Sequence, residues 1–416
     1  IAFDKVEVHG NIHYSDDIIK GVLDIEPGDA VTRDDMTEKI ELLYGKAWFE
    51  KIKYRIVHRN DSVILAIECE ESPRAMLYGS VHYDNSLESG LIVGTTLTNL
   101  VLNRSVIDFN SFLGKYYRIK LGILQYLDRN QKFGISLGYS ADNTLFPWLL
   151  HNKETGNTFS RNQYFEIGLN QFAGLNNLIT FSAAYNETNL RPDFISMNNI
   201  RNYTYDYYSS ELSFSRNTLN SKYFPDKGLV LNVSGRLSEL RYAASFIENT
   251  EYPLSYAEGY KPEYFYTLKA GIKQYVPAGE KVTFAFGGEA LYITDTDTLS
   301  SQNNFYLLGG IQQDTRRSIP MAGFNPGEIK VNRMAILRTE MDIEFLKDLH
   351  LNLAADIAMM EDNFFPYEML LVSGYSLGLG YNSIIGPVKA GLMYGSYPGD
   401  LHTGNFRTYI SIGYNF

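Results

Sequence analysis

The sequence predicts a mostly β protein: a 16-stranded antiparallel transmembrane β-barrel over residues 74–416, preceded by one β-α-α-β-β domain over residues 1–73. Two observations predict this division. From Arg74 onward, apolar and polar residues alternate in about sixteen segments of roughly ten residues, the length with which a tilted strand crosses a bilayer. No run approaches the ~18 apolar residues of a membrane-spanning helix. The pattern therefore favours strands as the membrane-crossing elements.

Composition agrees with a barrel. The chain carries 32 Tyr and 24 Phe although only 44% of its residues are hydrophobic. Aromatic rings gather at both rims of a membrane barrel, and its strands are apolar on one face only. A formal net charge of −11 excludes an ordinary nucleic-acid groove, which needs clustered Lys and Arg. The single cysteine, Cys69, excludes an internal disulfide and a thiolate metal site, and we expect it in the core of a strand.

One strand decides between a barrel and a soluble sandwich. Segment 337–345 has apolar residues on one face and four charged residues on the other, namely Arg338, Glu340, Asp342 and Glu344. Such a charged face is very costly in lipid or in a dry core, whereas a wet lumen solvates it. No fixed repeat period supports a solenoid instead.

The first seventy residues predict a small compact domain. A strand over 3–9 ends at Gly10-Asn11, and Ser15 can cap a first helix. Thr32 can cap a second helix, with Asp35 in the capping-box position. Strands over 51–58 and 62–69 follow, which completes the β-α-α-β-β order.

These residues resemble a POTRA domain, the periplasmic module of the BamA-like superfamily. The resemblance is carried by Val6-x-Val8-x-Gly10-Asn11, Gly28, Leu43-Tyr44, Trp48-Phe49 and the 63–70 strand that ends in Glu70-Glu71. It implies a sheet whose open edge accepts an extended segment by β-augmentation. The alternative is a domain that acts only as a spacer.

Motifs of the same superfamily (also called outer membrane protein 85 or bacterial surface antigen) continue through the C-terminal half. In order, they are Asn217-Thr218, Tyr223-Phe224-Pro225-x-x-Gly228, Asn304 to Gly310, Pro320 to Phe324, Leu337-x-x-Glu340, Asp356, Ile385-Gly386-Pro387 and the terminal Phe416. Alternating Ile410, Ile412, Tyr414 and Phe416 resemble the C-terminal assembly signal of outer-membrane barrels.

The resemblance also implies a loop inside the lumen. Met321, Ala322, Gly323 and Phe324 stand where the family usually has Val-Arg-Gly-aromatic, and the family's Arg meets acids on two adjacent barrel strands. Glu340 and Asp356 occupy the positions of those acids. Ala322 cannot make that ion pair, so Arg316, Arg317 and Arg338 are the candidates to replace it. The alternative for Glu340 and Asp356 is ordinary lumen polarity.

One POTRA domain before a barrel is most similar to the patatin-like autotransporter (type Vd). This resemblance implies an outer-membrane barrel that anchors and translocates an N-terminally fused passenger, a patatin-like lipase absent from this chain, with the POTRA domain in the periplasm. The expected partners are outer-membrane lipid and lipopolysaccharide, the fused passenger, the barrel assembly machinery and periplasmic chaperones, with a homodimer left open. No nucleic acid, metal or cofactor is expected.

Two alternatives remain open from the sequence. An insertase that assembles other outer-membrane barrels predicts a weakly paired seam between strands 74–83 and 406–416. A passive channel or a barrel enzyme is the other alternative. Gly134-Ile135-Ser136-Leu137-Gly138 and Gly374-Tyr375-Ser376-Leu377-Gly378 match the nucleophile-elbow pattern, but both lie inside alternating strands instead of a strand-turn-helix. We therefore predict that this chain is not an enzyme.

Overall fold

The computed structural model describes residues 3–23, 25–45, 48–59, 62–84, 88–128, 131–150, 153–174, 176–192, 200–221, 224–247, 250–253, 263–294, 305–311, 316–361, 369–383, 386–397 and 405–413. Within these ranges, no helix has both the length and the apolar content needed to cross a bilayer.

The N-terminal domain has the predicted element order. Its elements are β1 (Lys5–His9), α1 (Asp16–Leu23), α2 (Arg33–Gly45), β2 (Phe49–Arg59) and β3 (Ser62–Glu71). The β3 strand is the centre of the sheet, parallel to β1 and antiparallel to β2. Both outer strands therefore present an edge, and apolar residues of the two helices and three strands form one core, including the buried Cys69.

Side-chain caps fix where both helices begin. The Ser15 hydroxyl accepts a hydrogen bond from the amide of Ile18 at the start of α1. At the start of α2, the Asp35 amide donates to the Thr32 hydroxyl at 3.2 Å, and the Thr32 amide donates to the Asp35 carboxylate at 3.1 Å. This reciprocal pair is the predicted capping box, and it satisfies two amides that a helix start otherwise leaves without partners.

Glu71, at the end of β3, holds the turn between β1 and α1. Its carboxylate accepts hydrogen bonds from the amides of Ile12 and His13, both at 2.7 Å, and from the amide of Tyr14 at 3.3 Å. The His13 ring lies 2.6 Å from the same carboxylate. Burial alone would raise the pKa of Glu71, but these bonds outweigh it and lower the pKa below the ordinary carboxyl value.

We expect this turn to loosen in acid. Because the folded-state pKa of Glu71 is lowered, its contribution is present above the unfolded carboxyl pKa of about 4.3 and is lost as pH falls through the folded value. Glu71→Gln should cost about 1.5–3 kcal/mol locally, the range for hydrogen bonds to a charged group. Hydrogen exchange of the Ile12–Tyr14 amides in the whole chain measures both effects. Equal exchange in Glu71→Gln and in the parent at pH 7 would contradict this prediction.

The remaining chain forms a closed antiparallel barrel of 16 strands, as predicted. The strands in chain order are β4 (Ala75–Asp84), β5 (Glu88–Thr98), β6 (Ser105–Gly114), β7 (Tyr117–Tyr126), β8 (Phe133–Leu150), β9 (Lys153–Ala173), β10 (Asn177–Pro192), β11 (Ile200–Asn217), β12 (Gly228–Ile247), β14 (Glu263–Pro277), β15 (Val282–Ile293), β19 (Arg333–Leu346), β20 (Leu349–Glu361), β21 (Met369–Ser383), β22 (Gly386–Ser396) and β23 (Asn405–Ile412). A short extra strand, β13 (Thr250–Pro253), pairs with the far end of β12.

The two faces of the strands separate as the alternation predicts. In β21 the outward Leu371 and Leu377 are 64% and 47% exposed, as an apolar face toward lipid requires. Their inward neighbours are small residues such as Gly374 and Ser376. The charged face of β19 points inward, where Glu340 meets Lys273 of β14. The lumen-facing side of the barrel is polar, and its outer surface is apolar.

The barrel has one sparsely paired junction. The closing strands β23 and β4 share the single register pair Ile412–Tyr83 within the described residues. By contrast, β22 and β23 pair over eight residues, from Val388–Ile412 to Gly395–Asn405. Within the described residues this junction has fewer ladder pairs than its neighbours, at the place where the insertase alternative predicts a seam.

Candidate functional site: the lumenal loop and its anchors

A long connection between β15 and β19 returns into the barrel. This lumenal loop, residues 294–332, builds its own sheet from β16 (Tyr306–Leu308), β17 (Ser318–Ile319) and β18 (Ile329–Val331). The middle strand β16 runs parallel to β17 and antiparallel to β18. Strands alternate in direction from β4 onward, so the loop leaves the barrel at the end opposite the N-terminal domain. We call the end at which β4 begins the proximal end and the other the distal end.

The loop is packed against the inner wall. Met321 and Phe324 have no exposed surface. They belong to an apolar cluster that also contains inward side chains of β15, β19, β20 and β21, namely Leu291, Ile293, Met334, Ile336, Ala358, Met360 and Val372. Along this side of the wall, the distal lumen is filled by a packed apolar core.

Three glycines let the loop backbone touch the wall. Gly374 of β21 and Gly395 of β22 are register partners. A β-carbon on Gly374 would overlap the carbonyl oxygen of Ala322, and one on Gly395 would lie 2.5 Å from the carbonyl oxygen of Gly323. Gly323 itself has a φ of +88°, a conformation that residues with a side chain rarely adopt. The contact therefore requires glycine on both sides.

The loop backbone takes the place of the missing arginine at Asp356. The amide of Ala322 donates a hydrogen bond of 2.7 Å to the Asp356 carboxylate on β20. Asp356 is only 4% exposed, so an amide donor aimed at it replaces lost water. Of the two predicted acids, Asp356 contacts the loop, whereas Glu340 is held by two bonds of 2.8 Å from Lys273.

Arg338 is the predicted candidate that reaches the loop beside Ala322. From β19, one of its guanidinium nitrogens donates to the carbonyl oxygen of Pro320. Another lies 3.0 Å from the carboxylate of Glu289 on β15, which also meets Lys269 at 3.0 Å. The cation is thus on the barrel wall and the acceptor is on the loop, which reverses the arrangement that the family resemblance implies.

A second wall arginine was missed by the sequence analysis. Arg407 of β23 donates to the carbonyl oxygen of Gly323 at 2.8 Å and to the carboxylate of Glu328, which belongs to the loop. Its guanidinium also lies 5.4 Å from the centre of the Phe324 ring. Glu328 in turn accepts a 2.7 Å bond from the amide of Asn325 and so closes the turn around Gly327. A lone basic residue in an alternating strand gives no sequence signal for this role.

The loop's own arginines contact the opposite wall. The Arg316 guanidinium lies 3.5 Å from the centre of the Tyr164 ring and 3.4 Å from the carboxylate of Glu166, both on β9. Arg317 lies 5.4 Å from the ring centre of Tyr207 on β11. Neither residue takes the place of an arginine at position 322, because Arg316 docks on β9 and Arg317 on β11, whereas Asp356 belongs to β20. They tether the loop through aromatic rings instead.

The other predicted residues lie outside this site. Ile410 is exposed on the outer face of β23, and Ile412 forms the pair at the seam. Tyr414 and Phe416 lie outside the described residues. Ser136 and Ser376 lie within the uninterrupted strands β8 and β21, so neither occupies the sharp turn that a nucleophile elbow requires.

A chamber remains on the proximal side of the loop. It has a volume of about 410 Å³, within the range of ligand cavities. Pro320, Ala322 and Gly310 of the loop form its distal boundary, and Phe224 and Pro225 of the turn between β11 and β12 also line it. The side walls carry both charges, from Lys273, Glu289, Arg338, Glu340, Asp342, Asp356 and Lys389.

We expect Arg338→Gln to weaken loop docking by about 1.5–3 kcal/mol, because it removes charge-assisted bonds to Pro320 and Glu289. Ala322→Arg should restore docking in that background, since position 322 lines the chamber and faces Asp356. Proteinase K cleavage of the loop in the folded barrel measures docking. Faster cleavage of the double variant than of Arg338→Gln alone would contradict the exchange of anchors.

Comparison with known proteins assigns this architecture to a protein family. A sequence model of the OMP85 superfamily matches residues 179–416. The chain belongs to the OMP85 superfamily. A POTRA model, described as a surface antigen variable number repeat, matches residues 1–72 of this OMP85 chain. A search of curated proteins returns no significant match.

Solved OMP85-like structures share the fold. BamA from Haemophilus ducreyi lacking POTRA domains 1–3 matches with a TM-score of 0.60 and 15% identity, over 99% of this chain and 84% of that one. CdiB from Acinetobacter baumannii matches with a TM-score of 0.57 and 12% identity, over 99% and 73%. CdiB from Escherichia coli gives 0.57 and 14%, over 99% and 76%. At these identities the likeness concerns the fold.

Proposed function

We propose that this OMP85 chain is the translocator and anchor of an N-terminally fused passenger in the bacterial outer membrane, with its POTRA domain in the periplasm and a patatin-like lipase as the passenger. The observation that carries the proposal is the direct joining of a POTRA domain to a barrel whose polar lumen holds a loop by separable contacts. The open sheet edges of β1 and β2 can bind an extended chain by β-augmentation.

The lumen supports passage of a polypeptide better than passive conduction. Hydrogen bonds and ion pairs to Asp356, Arg338 and Arg407 hold the loop in the lumen, and no covalent bond joins the described part of the loop to the wall. A loop held this way can leave the lumen and return, whereas an open channel needs no such plug. The expected partners are the passenger, outer-membrane lipid and lipopolysaccharide, and the assembly machinery that inserts the barrel.

The natural gene tests the proposal first. A patatin-like lipase encoded upstream of Ile1 is the expected finding, and a series of further POTRA domains there would overturn it. With the whole natural protein in cells, external protease should then reach the passenger. Because passage requires the loop to leave the lumen, Gly374→Ala, which weakens loop docking, should not reduce this exposure relative to Gly122→Ala, whose β-carbon meets nothing within 4 Å.

The catalytic part of the proposal has its own test. We assign lipase activity to the passenger and none to the barrel, so Ser136→Ala and Ser376→Ala in the whole protein should leave hydrolysis of a phospholipid ester unchanged. A loss of activity with either variant, at unchanged surface exposure of the passenger, would assign a hydrolytic role to the barrel.

The second candidate function is insertion of other barrels, and the seam between β4 and β23 favours it. Opening this junction would expose strand edges that can template an incoming strand. Depletion of this protein should then lower the amounts of unrelated porins in the outer membrane. If depletion leaves porin levels unchanged but removes the passenger from the surface, the insertase function is excluded and the translocator function is retained.

A further inference from the structure

The turn between β11 and β12 enters the barrel mouth. It joins the proximal ends of these strands, and its base is closed by a 2.8 Å hydrogen bond from the Leu229 amide to the Thr218 hydroxyl. Gly228, with a φ of +116°, permits this closure because a β-carbon there would collide with Thr218. The turn thus projects Phe224 and Pro225 into the lumen, where both line the chamber.

Phe224 sits in a socket on the far side of the mouth. Its ring stacks on the ring of His350, with a centroid distance of 4.0 Å and an interplanar angle of 8°. His350 belongs to β20, which is separated from β12 by β14, β15 and β19 around the barrel wall. The turn therefore spans a wide part of the proximal mouth to make this contact.

Gly380, which has no side chain, forms the floor of the socket. His350, Gly380 and Lys389 are successive register partners across β20, β21 and β22. A β-carbon on Gly380 would lie 2.9 Å and 3.0 Å from two carbons of the Phe224 ring. The ring occupies the space that any other residue would fill, so Gly380 has a steric reason to be glycine.

Polar groups orient the walls of the socket. Nδ1 of His350 lies 2.8 Å from the Asp342 carboxylate, which fixes the plane on which Phe224 stacks. Asn352 donates to the other oxygen of Asp342 at 2.5 Å. The ammonium of Lys389 lies 5.4 Å from the centre of the Phe224 ring, on the cation-attracting face. The Phe224 ring therefore stacks on His350, packs against Gly380 and lies near the cation of Lys389.

Two other polar groups of the lumen are weaker candidates for a binding site. Arg118 on β7 has two guanidinium nitrogens without a hydrogen-bond partner in the described chain, but those atoms are sealed from solvent, so a ligand has no room to reach them. Lys389 lines the same chamber as the carboxylates of Glu340 and Asp342, so its cation does not specify a separate anionic ligand. The Phe224 socket is the feature whose geometry specifies one occupant.

We propose that Phe224 is a latch that closes the proximal mouth of the lumenal chamber, and that the socket of His350, Gly380 and Lys389 holds the latch shut. The lumen then has two separate closures, the lumenal loop on the distal side and this turn on the proximal side. Release of Phe224 opens the chamber to the POTRA side without moving the loop. The latch follows from the barrel fold and does not depend on which polypeptide the barrel handles.

The test measures access to the chamber. In a Cys69→Ser background, Ser376→Cys places one thiol on the chamber wall. The purified whole chain is inserted in a planar bilayer, and a small charged methanethiosulfonate is added on the POTRA side. Phe224→Ala should raise the modification rate roughly three- to tenfold, the population shift expected from losing one aromatic stack. Gly380→Ala keeps Phe224 but fills its socket, and it should raise the rate similarly.

Matched controls separate release of the latch from misfolding. Tyr208→Ala removes an outward aromatic of β11 and should leave the rate unchanged. Phe224→Tyr, which retains the ring, should also keep the parental rate. Every variant is required to show the heat-modifiable gel mobility of a folded barrel. Parental rates in both folded Phe224→Ala and folded Gly380→Ala would overturn the latch, as would an equal rise in Tyr208→Ala.

Discussion

Gly374→Ala should expel the lumenal loop from the barrel. Its new β-carbon would overlap the carbonyl oxygen of Ala322, a backbone atom that cannot rotate away as a side chain can. Overpacking of this kind costs about 1–3 kcal/mol, and each 1.4 kcal/mol changes the docked-to-released ratio tenfold. Trypsin cleavage after Arg316 and Arg317, which dock against β9 and β11 in the parent, should accelerate roughly 5- to 150-fold.

Gly122→Ala is the matched control for this substitution. Gly122 also belongs to a barrel strand, but a β-carbon on it meets nothing within 4 Å. The two variants therefore make the same chemical change, one against the loop and one against open space. Equal trypsin rates in folded Gly374→Ala, Gly122→Ala and the parent would show that the loop does not depend on the glycine contact.

The elements that the sequence predicts best are those with local signals. Alternation over ten or more residues identified the strands, and the reciprocal Thr32–Asp35 cap marked where α2 begins. The charged face of β19 indicated a wet lumen because neither lipid nor a dry core tolerates four charges on one strand face. In each case the deciding interactions lie within one strand, one helix end or one neighbouring pair.

The anchors of the loop were harder to predict because they join residues far apart in sequence. Gly374 and Gly395 are indistinguishable in sequence from other small lumen-facing residues, and their role arises from the register of β21 with β22 and from where the loop lands. Arg407 lies 84 residues from Gly323, in a segment whose other residues resemble an assembly signal. The family motif falls on Ala322, whose side chain is too short to form an ion pair.

The position of the cations has a mechanistic consequence. When the arginine belongs to the loop, release of the loop also removes the cation from the acids of the wall. Here Arg338 and Arg407 stay on the wall, and the loop offers mainly backbone carbonyls in return. Arg407 also lies on β23, one of the two strands at the seam. The same residue therefore connects the loop with the strand that closes the barrel against β4.

Arg407→Met should release the loop and loosen β23 together. The change removes the cation beside Glu328, whose side chain is 7% exposed, and breaking such a buried pair costs about 3–5 kcal/mol. Trypsin cleavage at Arg316 and Arg317 should rise, and hydrogen exchange of the β23 amides should accelerate in the same variant. Arg407→Lys should give an intermediate effect, because it keeps the charge but loses the forked geometry that bonds Gly323 and Glu328 at once.

A double-mutant cycle distinguishes the charge from mere packing. Much of the cost in Arg407→Met arises from a carboxylate left without its cation, so adding Glu328→Gln should recover part of the lost docking. If the two side chains contributed only by packing, the free-energy costs of the two substitutions would add. If the effect of the double variant equalled the sum of the effects of Arg407→Met and Glu328→Gln alone, the ion pair would carry no coupling, and the connection between loop and seam would have to run through the glycine contacts alone.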